Sequence, residues 1–409
     1  MNKTLEELLK EYELYKKKGL SINIARGKPN KDQLDLSNGL FKVLDENTDF
    51  TDEANNDVRN YGELTGTKEC KHLFSEIMSA KEDNIIACGN SSLNIEFELI
   101  SASMTHGVNG STPWGKLEKV KWLCPVPGYD RHFAVCEYFG IEMINIPMTI
   151  DGPDMDLVEE YIKDPTVKGI WCIPVYSNPT GITYSDEIVE RFAKLKPAAE
   201  DFRVFWDLAY VVHHLYNGHN DTIKNLLEEA EKYHNEDMIY LFASTSKITF
   251  AGAGVAAMAA SERNIKEIAN NMKYQIISYD KVNQLRHALY FKEEGSLEEH
   301  MKKHAEIIRP KFEALLSSLK EIKDIAWYTE PNGGYFISLF VKKGTASKVI
   351  ERCKECGLLL TDAGCAYPYH KDPDDSHIRI APTYLEVDEI EIAAKILNLS
   401  VRIEYLLNK

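Results

Sequence analysis

The segment MIYLFASTSK, residues 238–247, joins an apolar run to a polar turn that ends in a lysine. Its first six residues suit a short strand buried on both faces, as in a parallel sheet. In open parallel sheets, ligands bind beyond the carboxyl ends of the strands. The segment therefore predicts an α/β fold with a polar site where this strand ends.

Six further apolar runs of the same kind lie between residues 84 and 260. They are NIIAC (84–88), VKWLC (120–124), IEMINI (141–146), GIWCIPV (169–175), FRVFW (202–206) and GVAAMAA (254–260). Amphipathic stretches between them have helical spacing, at residues 69–80, 129–139, 154–163 and 185–195. This alternation predicts a large domain with a mainly parallel, seven-stranded sheet covered by helices on both faces.

The pattern changes after residue 262. A long charged helix is predicted at 296–319, and short apolar runs and a terminal helix follow it. This composition predicts a smaller α+β domain, which the N-terminal helix joins because chain ends often dock together. The predicted division is 48–285 for the large domain, and 1–47 with 286–409 for the small one.

Charge and composition exclude several classes of partner. The formal net charge of -16 repels polyanions, so neither nucleic acid nor a membrane is an expected partner. The first residues lack the apolar core of a secretory signal, and no run reaches membrane-spanning length. The eight cysteines are scattered, which favours a reducing cytoplasm. Cys353 and Cys356 have C-x-x-C spacing without a second pair, so buried thiols are expected there.

Four of the predicted strands end in polar clusters. Each cluster alone has an ordinary explanation as a helix N-cap, a turn or a solvated lysine. Their common position at one edge of one sheet indicates a shared ligand. The residues of these clusters are Asn90, Ser91, Ser92, Asn178, Asp207, Tyr210, Ser244, Ser246 and Lys247.

These side chains match the chemical needs of pyridoxal 5'-phosphate. Its aldehyde needs a lysine for a Schiff base, and its pyridine nitrogen needs a carboxylate. Lys247 and Asp207 can supply them. The phosphate needs a helix N-terminus with hydroxyls, which residues 90–92 can supply together with Ser244 and Ser246.

Six motifs carry a resemblance to a known family. They are PGY (127–129), NPTG (178–181), DLAY (207–210), STSK (244–247), GGYF (333–336) and RIAP (379–382). With them, nearly the whole chain resembles the fold type I pyridoxal-phosphate aminotransferases, in the aspartate aminotransferase-like branch related to the MocR aminotransferase domains. The resemblance implies amino transfer from an amino acid, aspartate first, to a 2-oxo acid, 2-oxoglutarate first.

The resemblance also implies roles for individual residues. Lys247 would hold the cofactor as a Schiff base and act as general base, and Asp207 would pair with the protonated ring nitrogen. Tyr129 would stack on the ring. Asn178 and Tyr210 would bind the 3'-oxygen, which makes Lys247, Asp207 and Tyr210 the expected catalytic residues.

Three more residues complete the implied site. His132 would support Asp207 from behind. Arg379 would bind the substrate α-carboxylate with its planar fork, a geometry that lysine cannot reproduce, and Asn178 would help to position the substrate. Tyr61 would reach the phosphate of a neighbouring subunit, which implies a homodimer with shared active sites.

The chain departs from the commoner family pattern at Gly254. Many relatives carry a phosphate-binding arginine seven or eight residues after the Schiff-base lysine, but here the position is a glycine. The phosphate would then depend on hydroxyls, backbone N–H groups or a cation from elsewhere. Arg26, Arg131 and Arg286 are candidates for a cation that binds a second substrate carboxylate, and each also fits a surface salt bridge.

Three alternative functions remain open at this point. A β-elimination or C–S lyase would use the same Lys247, Asp207 and Arg379. A non-catalytic regulatory domain that binds pyridoxal phosphate is a second alternative, although the chain has no basic helix-turn-helix extension and is acidic overall. A nicotinamide-dependent enzyme would need a glycine fingerprint after the first strand, which CGNSSL (88–93) does not provide.

Overall fold

The computed structural model describes residues 3–293 and 295–409. Within these residues the strands form three sheets. The strands are β1 (Ile22–Asn23), β2 (Ile85–Ala87), β3 (Lys121–Val126), β4 (Glu142–Thr149), β5 (Gly152–Pro153), β6 (Val167–Cys172), β7 (Arg203–Asp207), β8 (Ile239–Ser244), β9 (Ala256–Ala260), β10 (Trp327–Tyr328), β11 (Ile337–Phe340), β12 (Leu358–Leu359) and β13 (His377–Ile380).

The largest sheet has the strand order β2-β9-β8-β7-β6-β3-β4-β5. Neighbouring strands from β8 to β4 are parallel, whereas β9 is antiparallel to both β8 and β2. All seven predicted strands are present, so the predicted mainly parallel sheet is confirmed. The unpredicted β5 adds two residues antiparallel to β4, too few to leave a periodic signal in the sequence.

Helices cover the sheet and build the rest of the chain. They are α1 (Leu5–Lys16), α2 (Lys31–Asp35), α3 (Lys68–Met78), α4 (Ser92–His106), α5 (Asp130–Tyr138), α6 (Met155–Tyr161), α7 (Asp186–Ala193), α8 (Leu226–Glu231), α9 (Glu262–Met272), α10 (Lys281–Glu293), α11 (Leu297–Leu319), α12 (Ala346–Glu355) and α13 (Val387–Leu407). The helices predicted from amphipathic spacing correspond to α3, α5, α6, α7 and α11, with ends that differ by one or two residues.

Both faces of the central sheet are buried, which explains why its strands have continuous apolar sequences. Ile170 and Cys172 of β6 pack into an apolar cluster on one face, while Trp171 between them packs into a second cluster on the other face. Val204 and Phe205 of β7 alternate in the same way. The sheet is therefore a rigid platform for the groups at its carboxyl edge.

The N-terminal segment packs with the C-terminal part of the chain. Strand β1 pairs with β12, and β10, β11 and β13 form an antiparallel sheet. Leu8 and Tyr12 of α1 share an apolar cluster with residues of α11, α12 and α13. The division at residues 48 and 285 stays a prediction.

Two further features concern the whole described chain. Across residues 3–293 and 295–409, no helix is both long and apolar enough to cross a bilayer. The eight cysteines are free and buried. Cys353 lies in α12, where burial raises the pKa of its thiol to about 12, as expected for a thiol that acts as a small apolar group.

Candidate active site

Polar side chains collect at the carboxyl edge of the central sheet. Asp207 is the last residue of β7, and Ser244 is the last residue of the parallel neighbour β8. The Ser244 hydroxyl donates to Ser246 Oγ at 3.1 Å, and the Ser246 hydroxyl donates to the carbonyl of Asn90 at 3.0 Å. The turn that carries Lys247 is thereby joined to the start of α4.

The start of α4 forms a cradle for an anion. Ser91 is the N-cap of this 15-residue helix, and its hydroxyl makes no capping hydrogen bond. Helix N-termini carry unpaired N–H groups and a partial positive charge. The backbone at Ser91 and Ser92, together with the nearby Ser244 and Ser246 hydroxyls, therefore has the donors that a phosphate requires.

The backbone around Gly254 excludes an arginine at this position. A Cβ atom added to Gly254 would lie 2.8 Å from Thr245 Oγ1 and 3.1 Å from the carbonyl oxygen of Phe250. The Asn283 amide donates to the carbonyls of Ala253 and Gly254 at 3.1 and 3.0 Å, which fixes this turn in place. The departure from the family pattern is thus part of the local packing.

Lys247 lies over an aromatic ring inside the site. Its Nζ is 4.7 Å from the ring centroid of Tyr210, a buried residue. Tyr129 lies nearby, since Lys247, Tyr210 and Asp207 all influence its ionisation. Burial raises the pKa of both phenols. Tyr129 and Tyr210 therefore stay protonated at neutral pH, and each can donate one hydrogen bond.

Asp207 is a buried carboxyl group at the centre of the site. Its Oδ1 accepts a hydrogen bond from the backbone N–H of Ala209 at 3.0 Å, and its side chain is 4% exposed. Burial and the nearby charge of Glu96 raise the pKa of Asp207 to about 7, although His132 and Lys247 oppose this rise. A carboxylate held this way favours a cationic partner.

His132 lies between two carboxylates. Its Nε2 is 3.2 Å from Glu96 Oε2 and 3.7 Å from Asp207 Oδ2. Its ring stacks on Trp171 with centroids 4.5 Å apart and an interplanar angle of 14°. The sequence predicts that His132 supports Asp207, and the structure brings the two side chains together.

Asn178 and Arg379 each contain a buried polar atom available to a ligand. Within the described residues, Asn178 Oδ1 and Arg379 Nε have no hydrogen-bond partner. Arg379 Nη1 donates to Asp130 Oδ1 at 2.8 Å, and the guanidinium carbon lies 5.4 Å from the ring centroid of Phe336. Buried polar atoms of this kind are rare and call for an explanation, which a bound cofactor and its substrate would provide.

Four predicted residues lie outside this group. Tyr61 is 79% exposed, and Arg26 and Arg131 are also exposed. Arg286 donates to Asn283, whose amide in turn holds the turn at Gly254. None of these arginines therefore has a contact that identifies it as the second substrate cation.

Several polar groups around the site, buried or half-buried, are not predicted from the sequence. Glu96 and Asp130 contact His132 and Arg379, respectively. The carbonyl of Ile248, next to Lys247, accepts hydrogen bonds from His300 and His304 Nε2 at 2.8 and 2.9 Å. The i,i+4 spacing of these histidines in a predicted helix is a signal that could have identified them.

The larger surface cavities lie elsewhere. Cavities of about 640, 650 and 620 Å³ are lined by other residues, such as Met301, Leu285 and Phe97, and the lining of none of the three includes Lys247 or Asp207. A small cavity of about 20 Å³ does lie beside Tyr129 and Asn178. The candidate site is therefore identified by its polar side chains, such as Lys247 and Asp207, and not by the size of a cavity.

Comparison with known proteins gives a consistent result. Residues 1–406 match the family model described as aspartate amino-transferase. The chain is 44% identical, over 393 residues, to an aspartate aminotransferase of Corynebacterium glutamicum, covering 95% of this chain and 90% of that one. A crystal structure of an aspartate transaminase from the same species has a TM-score of 0.96 at 42% identity, over 99% and 96% of the two chains.

A more distant structure shares the fold. The α-aminoadipate aminotransferase of Thermus thermophilus, solved with N-(5'-phosphopyridoxyl)-L-leucine, has a TM-score of 0.76 at 18% identity and covers 100% of this chain and 96% of that chain. The predicted fold type I architecture is therefore confirmed.

Proposed function

Because the chain belongs to the aspartate aminotransferase family and is an aminotransferase, we propose that it transfers the amino group of aspartate to 2-oxoglutarate, with pyridoxal 5'-phosphate held as a Schiff base by Lys247. The observation that carries this proposal is the convergence of Lys247 and Tyr210 with the buried carboxyl group of Asp207. The choice of aspartate rests on the name of the Corynebacterium glutamicum relative.

The residues present fit the cofactor. Asp207 would hold the proton of the ring nitrogen, and Asn178 and Tyr210 would bind the 3'-oxygen. Tyr129 would stack on the ring. The N-terminus of α4, with Ser244 and Ser246, would bind the phosphate. When bound, pyridoxal phosphate supplies an electron-withdrawing ring that stabilises negative charge at the α-carbon of the amino acid.

Side chains of this protein would accept the α-proton and orient the substrate. Lys247 Nζ, as a free amine, would be the base that accepts the α-proton of the bound amino acid. Tyr210 lies under this amine and limits where it can move. The fork of Arg379 fixes the α-carboxylate, and this orientation selects the bond to hydrogen for cleavage over the bond to the carboxylate.

The test of the proposal is a panel of amino donors. Aspartate, glutamate, alanine and aromatic amino acids are each mixed with the loaded protein, and the loss of the yellow form is followed. We expect aspartate and glutamate to convert the cofactor to its pyridoxamine form, and 2-oxoglutarate to reverse the change. Release of ammonia and pyruvate would assign a lyase instead. Cofactor binding without any conversion would assign a regulatory domain.

Replacing Arg379 with lysine is expected to weaken substrate binding. Lysine keeps the charge but loses the bidentate fork, a loss of about 1.5–3 kcal/mol, so the KM for aspartate should rise about 10- to 100-fold. Steady-state kinetics measures this, and Arg131→Lys serves as the control because Arg131 is exposed beside the site. An unchanged KM in R379K would remove Arg379 from the substrate site.

We further propose a homodimer whose active sites are shared, in which Tyr61 reaches the partner's phosphate site. Exposed aromatic rings support it: Phe41, 69% exposed, stacks on Phe250 next to the Lys247 turn with centroids 5.1 Å apart, and Tyr61, elsewhere on the surface, is 79% exposed. Exposed apolar groups of this kind mark interaction surfaces.

Sedimentation should give twice the 46.6 kDa mass of the chain, and Phe41→Asp should shift the protein toward monomer because it places a charge in an apolar interface. Tyr138→Asp is the control, since Tyr138 is 74% exposed on α5. A wild-type protein that sediments as a monomer would contradict the dimer.

We also propose a cytoplasmic location. The eight cysteines are free, as is usual in a reducing compartment.

A further inference from the structure

A buried carboxylate, Glu96, lies behind the groups assigned to the cofactor. It is on α4, one turn after the N-terminus of the helix, and its side chain is 1% exposed. Its Oε2 is 3.2 Å from His132 Nε2, which is itself 3.7 Å from Asp207 Oδ2. One imidazole nitrogen thus lies between two carboxylates.

Glu96 is not held there by ordinary hydrogen bonds. Within the part of the chain that the structure describes, neither of its oxygens has a well-aligned donor. A buried carboxyl group without such donors stays ionised only beside a cation, and His132 is the group that contacts it. Burial lowers the pKa of His132, but Glu96 and Asp207 outweigh this effect and raise the pKa above its ordinary value.

We propose that Glu96 is a positioning residue that keeps His132 protonated, so that the Glu96–His132–Asp207 triad presents one unbalanced negative charge to the protonated ring nitrogen of the cofactor. The inference rests on the proposed cofactor site. Without Glu96, at a pH below the remaining pKa of His132, the imidazolium of His132 and the carboxylate of Asp207 would neutralise each other. Asp207 would then attract the ring nitrogen less strongly.

The charged groups around the triad are consistent with one unbalanced negative charge. His132 is influenced by Glu96 from α4, by Asp207 from β7 and by Asp130 on its own helix. Asp207 is also influenced by Lys247. With the cofactor attached to Lys247, the protonated ring nitrogen would be the cation that Asp207 meets.

The rigid setting of His132 supports a role in positioning. Its stacking on Trp171 restrains the plane of the ring, and in this plane Nε2 faces the two carboxylates. The three ligand-type atoms of the triad also lie within 4.8 Å of one another, a spacing that suits a divalent cation as well. A metal would occupy the Asp207 oxygen that the ring nitrogen needs, so the two interpretations are mutually exclusive and can be separated by experiment.

The first measurement uses cofactor-free protein. The titration of His132 is followed by NMR in protein with labelled histidine, and H132Q identifies its signal. We expect E96Q to lower the pKa of His132 by about one to three pH units, and E96D to restore most of the wild-type value. The matched control is E98Q, because Glu98 lies on the same helix and bonds Asn94 and Tyr279 instead.

The second measurement is the dissociation constant of pyridoxal phosphate. At a pH below the His132 pKa of E96Q, we expect E96Q to raise it about tenfold or more, because one negative charge of the triad is lost while His132 stays protonated, and E98Q to leave it unchanged. In the H132Q background the mediator is absent, so E96Q should have little further effect. This non-additivity is the sign of a coupled triad, whereas a merely structural role for Glu96 would give additive losses.

The outcomes separate this inference from the proposed function. If wild-type protein binds pyridoxal phosphate and turns over aspartate, but E96Q changes neither the His132 titration nor the dissociation constant, the inference is overturned and the function stands. If wild-type protein does not bind the cofactor, the proposed function fails, while the NMR result still reports on the His132 charge. Tight zinc binding to cofactor-free protein, lost in E96Q, would replace the triad with a metal site.

Discussion

Replacing Lys247 with alanine should lower kcat by about four orders of magnitude or more, since the variant loses both the covalent link to the cofactor and the base that accepts the α-proton. The variant should still bind pyridoxal phosphate, because the α4 N-terminus and Asp207 are intact. Single-turnover measurements with aspartate would show whether α-proton transfer is lost, and the colour of the purified protein would show whether the Schiff base is absent.

Peptide mapping provides the control for this prediction. Borohydride reduction of wild-type protein should leave the adduct on Lys247. Lys273→Ala, in which an exposed lysine is removed, should behave as wild type in both kinetics and mapping. An adduct on a different lysine, with Lys247 unmodified, would contradict the assignment of Lys247 and with it the proposed reaction.

The second large effect is expected for Asp207→Asn. The amide can still accept the Ala209 N–H bond through its oxygen, so the local fold should persist. It cannot hold a proton on the ring nitrogen by charge, and the loss of one such stabilising group lowers kcat by about 100- to 1000-fold. Steady-state kinetics measures this change. A kcat within a few-fold of wild type would show that Asp207 is not the partner of the ring nitrogen.

The same substitution should stabilise cofactor-free protein in a pH-dependent manner. The pKa of Asp207 is raised from 3.8 to about 7, so folding favours the protonated carboxyl group. Its contribution to stability is fully present below the unfolded pKa and is lost as the pH rises through about 7, a loss of at most about 4 kcal/mol. Above pH 7 the cofactor-free D207N protein should therefore unfold at higher urea concentration than wild type.

Two comparisons check the cause of this stabilisation. At pH 3 the difference in the free energy of unfolding between D207N and wild type should nearly vanish, because Asp207 is then mostly protonated in both the folded and unfolded wild-type states. In loaded protein at pH 8 the difference should shrink or reverse, since the ring nitrogen provides a counter-charge. A difference that is constant with pH would mean that the carboxylate charge is not its source.

The strands and their polar edges are largely predictable from sequence, because both depend on local patterns. Continuous apolar runs define the central sheet, and the residues after them, such as Asp207 and Lys247, fall at its carboxyl edge by geometry alone. The two-residue strand β5 leaves no such pattern. Tyr61 is predictable from the family resemblance only, because its proposed contact lies in a second copy of the chain.

The groups that support the site are harder to predict. Asp130 meets Arg379 across 249 residues of sequence, and no local period reports a contact of this range. Glu96 did leave a signal, since it lies in the buried stripe of α4 with Leu99, Ile100 and Ser103. A charged residue in an apolar helical stripe indicates a buried ion pair, although the sequence does not show which cation it meets.

The Asp130–Arg379 ion pair has a consequence for selectivity. In its proposed role, Arg379 meets substrate while its Nη1 already donates to Asp130, so an incoming carboxylate competes for the guanidinium with an anion that is tethered beside it. A tethered group acts at a millimolar effective concentration or above, which free chloride or acetate, bound at one point, cannot readily exceed. An amino acid that also reacts with the cofactor is held at two points, and it can therefore compete with Asp130 for the guanidinium. The fold thus disfavours the binding of small anions at Arg379.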